Sequence, residues 1–264
     1  MTSLFWSEFG VLFVASIIGA VAVVPYSLRL LKGSGKPFKM SVPMLALLSA
    51  LHGAVISGIA IAIGLIAAHA IGLGAPYIEA VLAGGGTDHS LVPIIAIALP
   101  FGIAAGATLL FADLLFLPYW PERLVEAALK TTLWEKFTAS FYGGINEELL
   151  IRLCGFSVLA WLLSRVWHTS AGLPTTAVFW IVNVAMAILF GIGHLPALRG
   201  VIGKISHVTL ARTLLLNAPV GLICGWLFWT YGIEAAFAAH FSADIVYHVF
   251  GTIVLRRKLG AIMR

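Results

Sequence analysis

Two adjacent glutamates and an arginine, Glu147, Glu148 and Arg152, stand in the otherwise apolar stretch FYGGINEELLIRLCGFSVLAW, residues 141–161. Ionised groups at membrane depth are costly unless they pair or work, so this stretch is the first place to look for chemistry. On a helix Glu148 and Arg152 stack on one face as an acid-to-base pair, while Glu147 lies about 100° round the axis. One carboxylate has a partner in sequence and the other does not. Further on, His240, Asp244 and His248 recur every four residues and so share one helical stripe. A carboxylate between two imidazoles suits proton handling or metal binding. His194 and Asp113 complete the ionisable residues expected at depth.

The elements that must position these groups are membrane helices. The chain is 61% hydrophobic and 10% charged, with mean hydropathy +1.03, a composition outside the range of soluble domains. Apolar runs of roughly 20 residues or more occur at 11–31, 44–73, 91–117, 137–163, 173–195, 210–229 and 233–255. The expected fold is an all-α polytopic transmembrane bundle of about seven spans, with room for an eighth, short or re-entrant segment around 75–83. Alternating the spans across a bilayer collects Arg29, Lys32, Lys36, Lys39, Arg123, Lys130, Lys136, Arg199, Lys204, Arg212, Arg256, Arg257, Lys258 and Arg264 on one side. Arg165 stands alone opposite. By the positive-inside rule the N-terminus is expected outside and the C-terminus in the cytoplasm. The net charge of +5 reads as topology and contact with anionic lipid, not as a nucleic-acid surface. The first span, with its basic cluster behind it, reads as a retained anchor and not a cleaved signal.

No repeat and no linker divides the chain, so one transmembrane domain over 1–264 is expected. Gly102, Gly106, Gly191 and Gly193 are expected to let helices approach closely, and Pro25, Pro100 and Pro219 to perturb their spans. Cys154 and Cys224 stand singly and read as small core residues. Asp113 is expected to cap or pair with a neighbouring helix, and His52 and His69 to bond between helices. Counting from the basic boundary at 1.5 Å per residue puts Glu147 roughly 16 Å deep, Asp244 roughly 18 Å, His240 roughly 24 Å and His194 roughly 15 Å. These levels overlap enough for three helices to converge on one polar pocket.

In order, the chain reads Glu147-Glu148-x-x-x-Arg152, Phe190-x-x-x-His194 and His240-x-x-x-Asp244. This resembles the CAAX protease and bacteriocin-processing (CPBP, or Abi) family of intramembrane proteases, related to type II CAAX prenyl endopeptidases. The resemblance covers residues 137–254, which it implies are the catalytic core. It implies that Glu147 and His194 activate a water against the scissile carbonyl, and that His240 and Asp244 support the oxyanion. Glu148, Arg152 and His248 are then supporting residues. The best-known prenyl-CAAX members carry Asn where this chain has Asp244. An ionised Asp cannot donate to an oxyanion, so orienting His240 is the role expected of it.

The leading expectation is an endopeptidase without cofactor or metal, acting on a membrane-associated, prenylated or otherwise lipid-bearing peptide near the cytoplasmic face. The plasma (inner) membrane of a prokaryote is its expected location. A second reading places zinc on Glu147, His194, His240 and Asp244, an N/O ligand set, although no HExxH pair is present. A third is a non-proteolytic scaffold, immunity factor or transporter that retains the polar cluster.

Overall fold

The computed structural model describes residues 2–33, 40–85 and 90–262. Lys36, Lys39 and Arg264, counted above among the basic boundary residues, lie outside them. The described residues are helical, with no β-strand beyond an isolated bridge between His168 and Pro174.

Helix α1 (Ser3–Ala22) passes into α2 (Val24–Gly33) through a break at Val23, two residues before Pro25. Helix α3 (Val42–Ala70) is followed by α4 (Pro76–Leu82), the short segment expected after the second span, and then by α5 (Val92–Phe116). The amphipathic α6 (Glu122–Lys130) leads to α7 (Leu133–Phe141). A capping box starts α7: Thr132 Oγ1 accepts the Glu135 N–H at 3.2 Å and Glu135 Oε2 accepts the Thr132 N–H at 2.7 Å. The helix continues in π geometry over Tyr142–Glu147 and Leu149–Phe156 before α8 (Ser157–Leu163). Helices α9 (Thr176–Gly193) and α10 (Leu195–Ile202) meet at His194, and α11 (His207–Tyr231) follows. Helix α12 (Ile233–Asp244) passes through π turns at Ile245–Phe250 into α13 (Gly251–Ile262). Gly232, at φ +92°, makes the reversal between α11 and α12, a conformation that penalises any side chain.

Among the described residues, six helical runs are long and apolar enough to cross a membrane: Ser3–Leu31, Val42–Ala70, Val92–Tyr119, Thr176–Ile202, His207–Tyr231 and Ile233–Leu259. The protein is a multi-pass integral membrane helical bundle. The remaining expected span, 137–163, is helical from 133 to 163, but each span-length stretch of it holds three or more charged residues. It is the central helix. Leu149, Leu153 and Phe156 are fully buried against Ile61 and Leu65 of α3, Val182 of α9, Leu227 and Phe228 of α11 and the alanines of α12. Between membrane helices such contacts hold by packing, since lipid is as apolar as leucine.

Small residues set the closest approaches. A methyl group added at Gly102 would collide with the Ala239 carbonyl, and one at Gly106 with that of Ala243, so α5 lies backbone to backbone against α12. Gly191 faces Leu214 closely, whereas Gly193 has open space and makes no such approach, contrary to expectation. Arg212 also departs from its reading as a loop charge. It sits within α11 with its side chain 12% exposed, because Asp113 of α5, fully buried, faces it. Its Nε and one terminal nitrogen donate to the two Asp113 oxygens at 2.6 and 2.8 Å, while Tyr247 and Trp120 add bonds at 2.6 and 3.2 Å. Asp113 is thus paired across helices, as expected.

Candidate active site

The central helix presents its two glutamates to different surroundings. Glu148 and Arg152 are sealed in protein, with side chains 0% and 1% exposed, whereas Glu147 is 24% exposed. Arg152 donates to Glu148 Oε1 at 2.8 Å and to the Gly221 carbonyl of α11 at 2.9 Å. Glu148 lies between the two π stretches and Arg152 within the second, a geometry found often at functional sites. Asn146 fixes the helix on its other side, donating to the Ser16 carbonyl of α1 at 2.9 Å.

His194 sits where α9 gives way to α10. Two residues later Pro196 cannot donate the N–H that would continue the ladder. The His194 N–H turns to the Gly191 carbonyl at 3.3 Å, and its ring Nδ1 lies 2.7 Å from the Phe190 carbonyl. A carbonyl only accepts, so Nδ1 carries the proton and Nε2 is left facing outward. That Nε2 lies 3.8 Å from Glu147 Oε2.

His240 comes from α12 and is almost fully enclosed. Its Nδ1 donates to Glu148 Oε1 at 2.6 Å. Its Nε2 faces Glu147 Oε2 at 3.9 Å and Asp244 Oδ1 at 3.7 Å. The shortest contact of the ring therefore runs to Glu148, and Asp244 stands on the opposite nitrogen. His248 Nε2 is 3.7 Å from the same Asp244 oxygen. The two glutamates, adjacent in sequence, bracket one imidazole from either side.

Glu147, His194, His240, Asp244 and His248 line a cavity of about 450 Å³, whose walls also include Lys136, Arg212 and Leu255 from the basic end of the bundle. Burial, and next the Arg256 charge, push Lys136 down to about 8 against the pull of Asp113.

The sequence motif includes Phe190 without giving it a role, and Gly143 was passed over. Phe190 is a shared wall: its ring packs edge-on against His194 at 4.7 Å and His240 at 5.5 Å, with the Arg152 guanidinium 5.0 Å from its centroid. Its place one turn before His194 was the available signal. A side chain at Gly143 would fall 2.5 Å from Asp244 Oδ2 and 3.3 Å from His240 Nε2, so the glycine makes room for the acid. Nothing local in the sequence announces that.

Among the described residues, the groups of three or more metal-capable atoms lying within 4.8 Å of one another are Glu148–Cys224–His240 and Glu8–His69–Glu79. Glu147, His194, His240 and Asp244 do not form such a group. Cys154 and Cys224 are free thiols, Cys224 fully inside the core.

Residues 129–246 match the family model described as type II CAAX prenyl endopeptidase Rce1-like. The CAAX protease-like resemblance read from the three motifs is thereby borne out. No curated protein and no solved structure matches the chain. The Rce1-like segment starts at the end of α6 and takes in Glu147, Glu148, Arg152, His194, His240 and Asp244. His248 and helices α1 to α5 lie outside it, yet Ser16 and Gly102 of those helices hold its central helix and α12 in place.

Proposed function

We propose that this protein is an intramembrane endopeptidase in which Glu147 and His194 activate a water for attack on a peptide carbonyl. One observation carries the reading. Glu147 Oε2 and His194 Nε2 point at each other from 3.8 Å, and with Nδ1 committed to Phe190 both are acceptors. Two acceptors at that separation call for a donor touching both, and a water supplies two O–H groups. As the water oxygen bonds to the carbonyl carbon, its proton passes to Glu147, and the carbonyl π electrons move onto oxygen. Expulsion of the amine breaks the C–N bond, and the proton held by Glu147 leaves with it.

The oxyanion falls to His240. To donate from Nε2 while Nδ1 serves Glu148, the ring must act as an imidazolium, and Glu148 is then its counter-ion. Asp244, on the Nε2 side, holds the ring edge toward the carbonyl together with His248. No metal has a role in this scheme. The substrate is a membrane-associated peptide, prenylated or otherwise lipid-bearing, entering from the basic end of the bundle, which faces the cytoplasm by the positive-inside rule.

The test is reconstitution of the full chain in lipid with membrane-associated peptides, with and without a C-terminal prenyl group. Wild type is compared with Glu147→Ala and His194→Ala, in the presence and absence of a chelator. Cleavage by wild type alone, unaffected by chelation, is expected. Equal cleavage by all three proteins would remove the assigned site, and loss on chelation with recovery on adding zinc would replace the mechanism by a metal-dependent one.

A further inference from the structure

A second polar cluster lies at the other end of the bundle, where α1 begins, α3 ends and α11 turns into α12. Glu8 of α1 is 0% exposed, and both its carboxylate oxygens lack a hydrogen-bond partner. Its ion-pair partner among the described residues is His69 of α3, whose Nε2 is 3.0 Å from Oε2 without the alignment of a hydrogen bond. Glu79 of α4 closes the group, with Oε1 3.6 Å from the same ring nitrogen. An enclosed carboxylate with unpartnered oxygens is costly, which is the argument for a missing partner. His69 and Glu79 line a cavity of about 550 Å³ that also includes Thr2, Gly74, Tyr231 and Gly232. Any side chain at Gly74 would collide with Glu79, so the backbone there yields to the cluster.

The geometry points to a divalent transition-metal site, with zinc the ion that fits best, held by Glu8, His69 and Glu79. Tetrahedral zinc with bonds of about 2.0–2.1 Å sets its ligand atoms roughly 3.3 Å apart. The spacings of 3.0 and 3.6 Å about His69 Nε2 straddle that value. Two carboxylates neutralise the ion, and one imidazole with two carboxylates is a donor set that zinc accepts. Glu79 Oε1 also accepts the Ala75 N–H at 2.9 Å, the kind of outer bond that orients a ligating carboxylate. The cavity leaves a fourth position for water. The bound ion clamps α1 to α3 and α4, away from Glu147 and independently of proteolysis.

Full-length protein with its purification tag removed is stripped with chelator in detergent and dialysed against zinc chloride. Bound metal is then measured by elemental analysis, and thermal unfolding is followed with and without zinc. Wild type and Glu147→Gln are expected to retain one equivalent and to unfold at a higher temperature with zinc. Glu8→Gln and Glu79→Gln lose both the ion and the shift. Glu79 sits on a short, half-exposed helix, so Glu79→Gln decides the matter if Glu8→Gln does not fold. Absence of saturable zinc in wild type overturns the site, as does zinc retained by the folded variants or lost in Glu147→Gln.

Discussion

Glu148 Oε1 accepts two buried donors at once, Nδ1 of His240 at 2.6 Å and the Arg152 guanidinium at 2.8 Å. The acid that sequence pairs with Arg152 is also the one that holds the imidazole of another helix. This divides the two glutamates by the kind of damage their loss does. Glu148→Ala leaves Arg152 uncompensated in the core, and breaking a buried pair costs about 3–5 kcal/mol. Glu147→Gln removes a proposed base from the cavity wall without unpairing a buried charge, so the protein keeps its unfolding temperature while cleavage falls roughly 10²–10⁴-fold. Thermal unfolding in detergent beside a cleavage assay reads both. A Glu147→Gln protein as unstable as Glu148→Ala would undo the division.

The membrane bundle, the Glu148–Arg152 pair and the His240–Asp244–His248 stripe were all legible in the sequence, because each rests on hydropathy or on helical spacing. What was not legible depends on contacts between distant segments. Glu148 reaches His240 across 92 positions, and Arg212, which read as a loop charge, is drawn into the helix by Asp113 from 99 positions away. Glu8 fell just before the first apolar run and was passed over. Only the packing of α1 on α3 encloses it.

Asp244 is the position where this chain differs from the best-known prenyl-CAAX proteases, and the structure gives it no bond as short as that from Glu148. Its oxygen is 3.7 Å from both His240 and His248, so a neutral amide of the same shape serves there. Asp244→Asn is expected to keep cleavage within about tenfold of wild type, while Asp244→Leu, which cannot support the oxyanion donor, loses roughly 10²–10³-fold. Relative kcat values at one substrate concentration series separate the two. An Asp244→Asn protein as dead as Asp244→Leu would mean that the negative charge itself is needed.

The Asp113–Arg212 pair is structural in this reading: Asp113 is fully buried and joined to Tyr247 and Trp120, although Arg212 lines the same cavity as Glu147. Either Asp113→Leu or Arg212→Met alone strands a charge and should destabilise by about 3–5 kcal/mol. The double variant should recover most of that loss, since an apolar pair has no charge to strand. A double-mutant cycle on unfolding free energy measures the coupling. Additive losses would show that the pair does not act as a unit.

Glu135 offers the clearest pH signature outside the spans. Burial raises its carboxyl, but the Thr132 N–H and the Arg29 guanidinium outweigh it and hold the group below the ordinary range. A carboxylate depressed in the folded state adds stability above its unfolded value of about 4.3, and that stability is lost as pH falls through the lower folded value. Arg29 is 43% exposed, so solvent screening limits the ionic part to about 1 kcal/mol or less. Glu135→Gln keeps the geometry of the cap and removes the charge. Wild type should unfold at a slightly higher temperature than Glu135→Gln at pH 7 and low salt, and the two should converge below about pH 4. A gap that stays constant down to pH 3 would show that the ionised form of Glu135 contributes nothing to the fold.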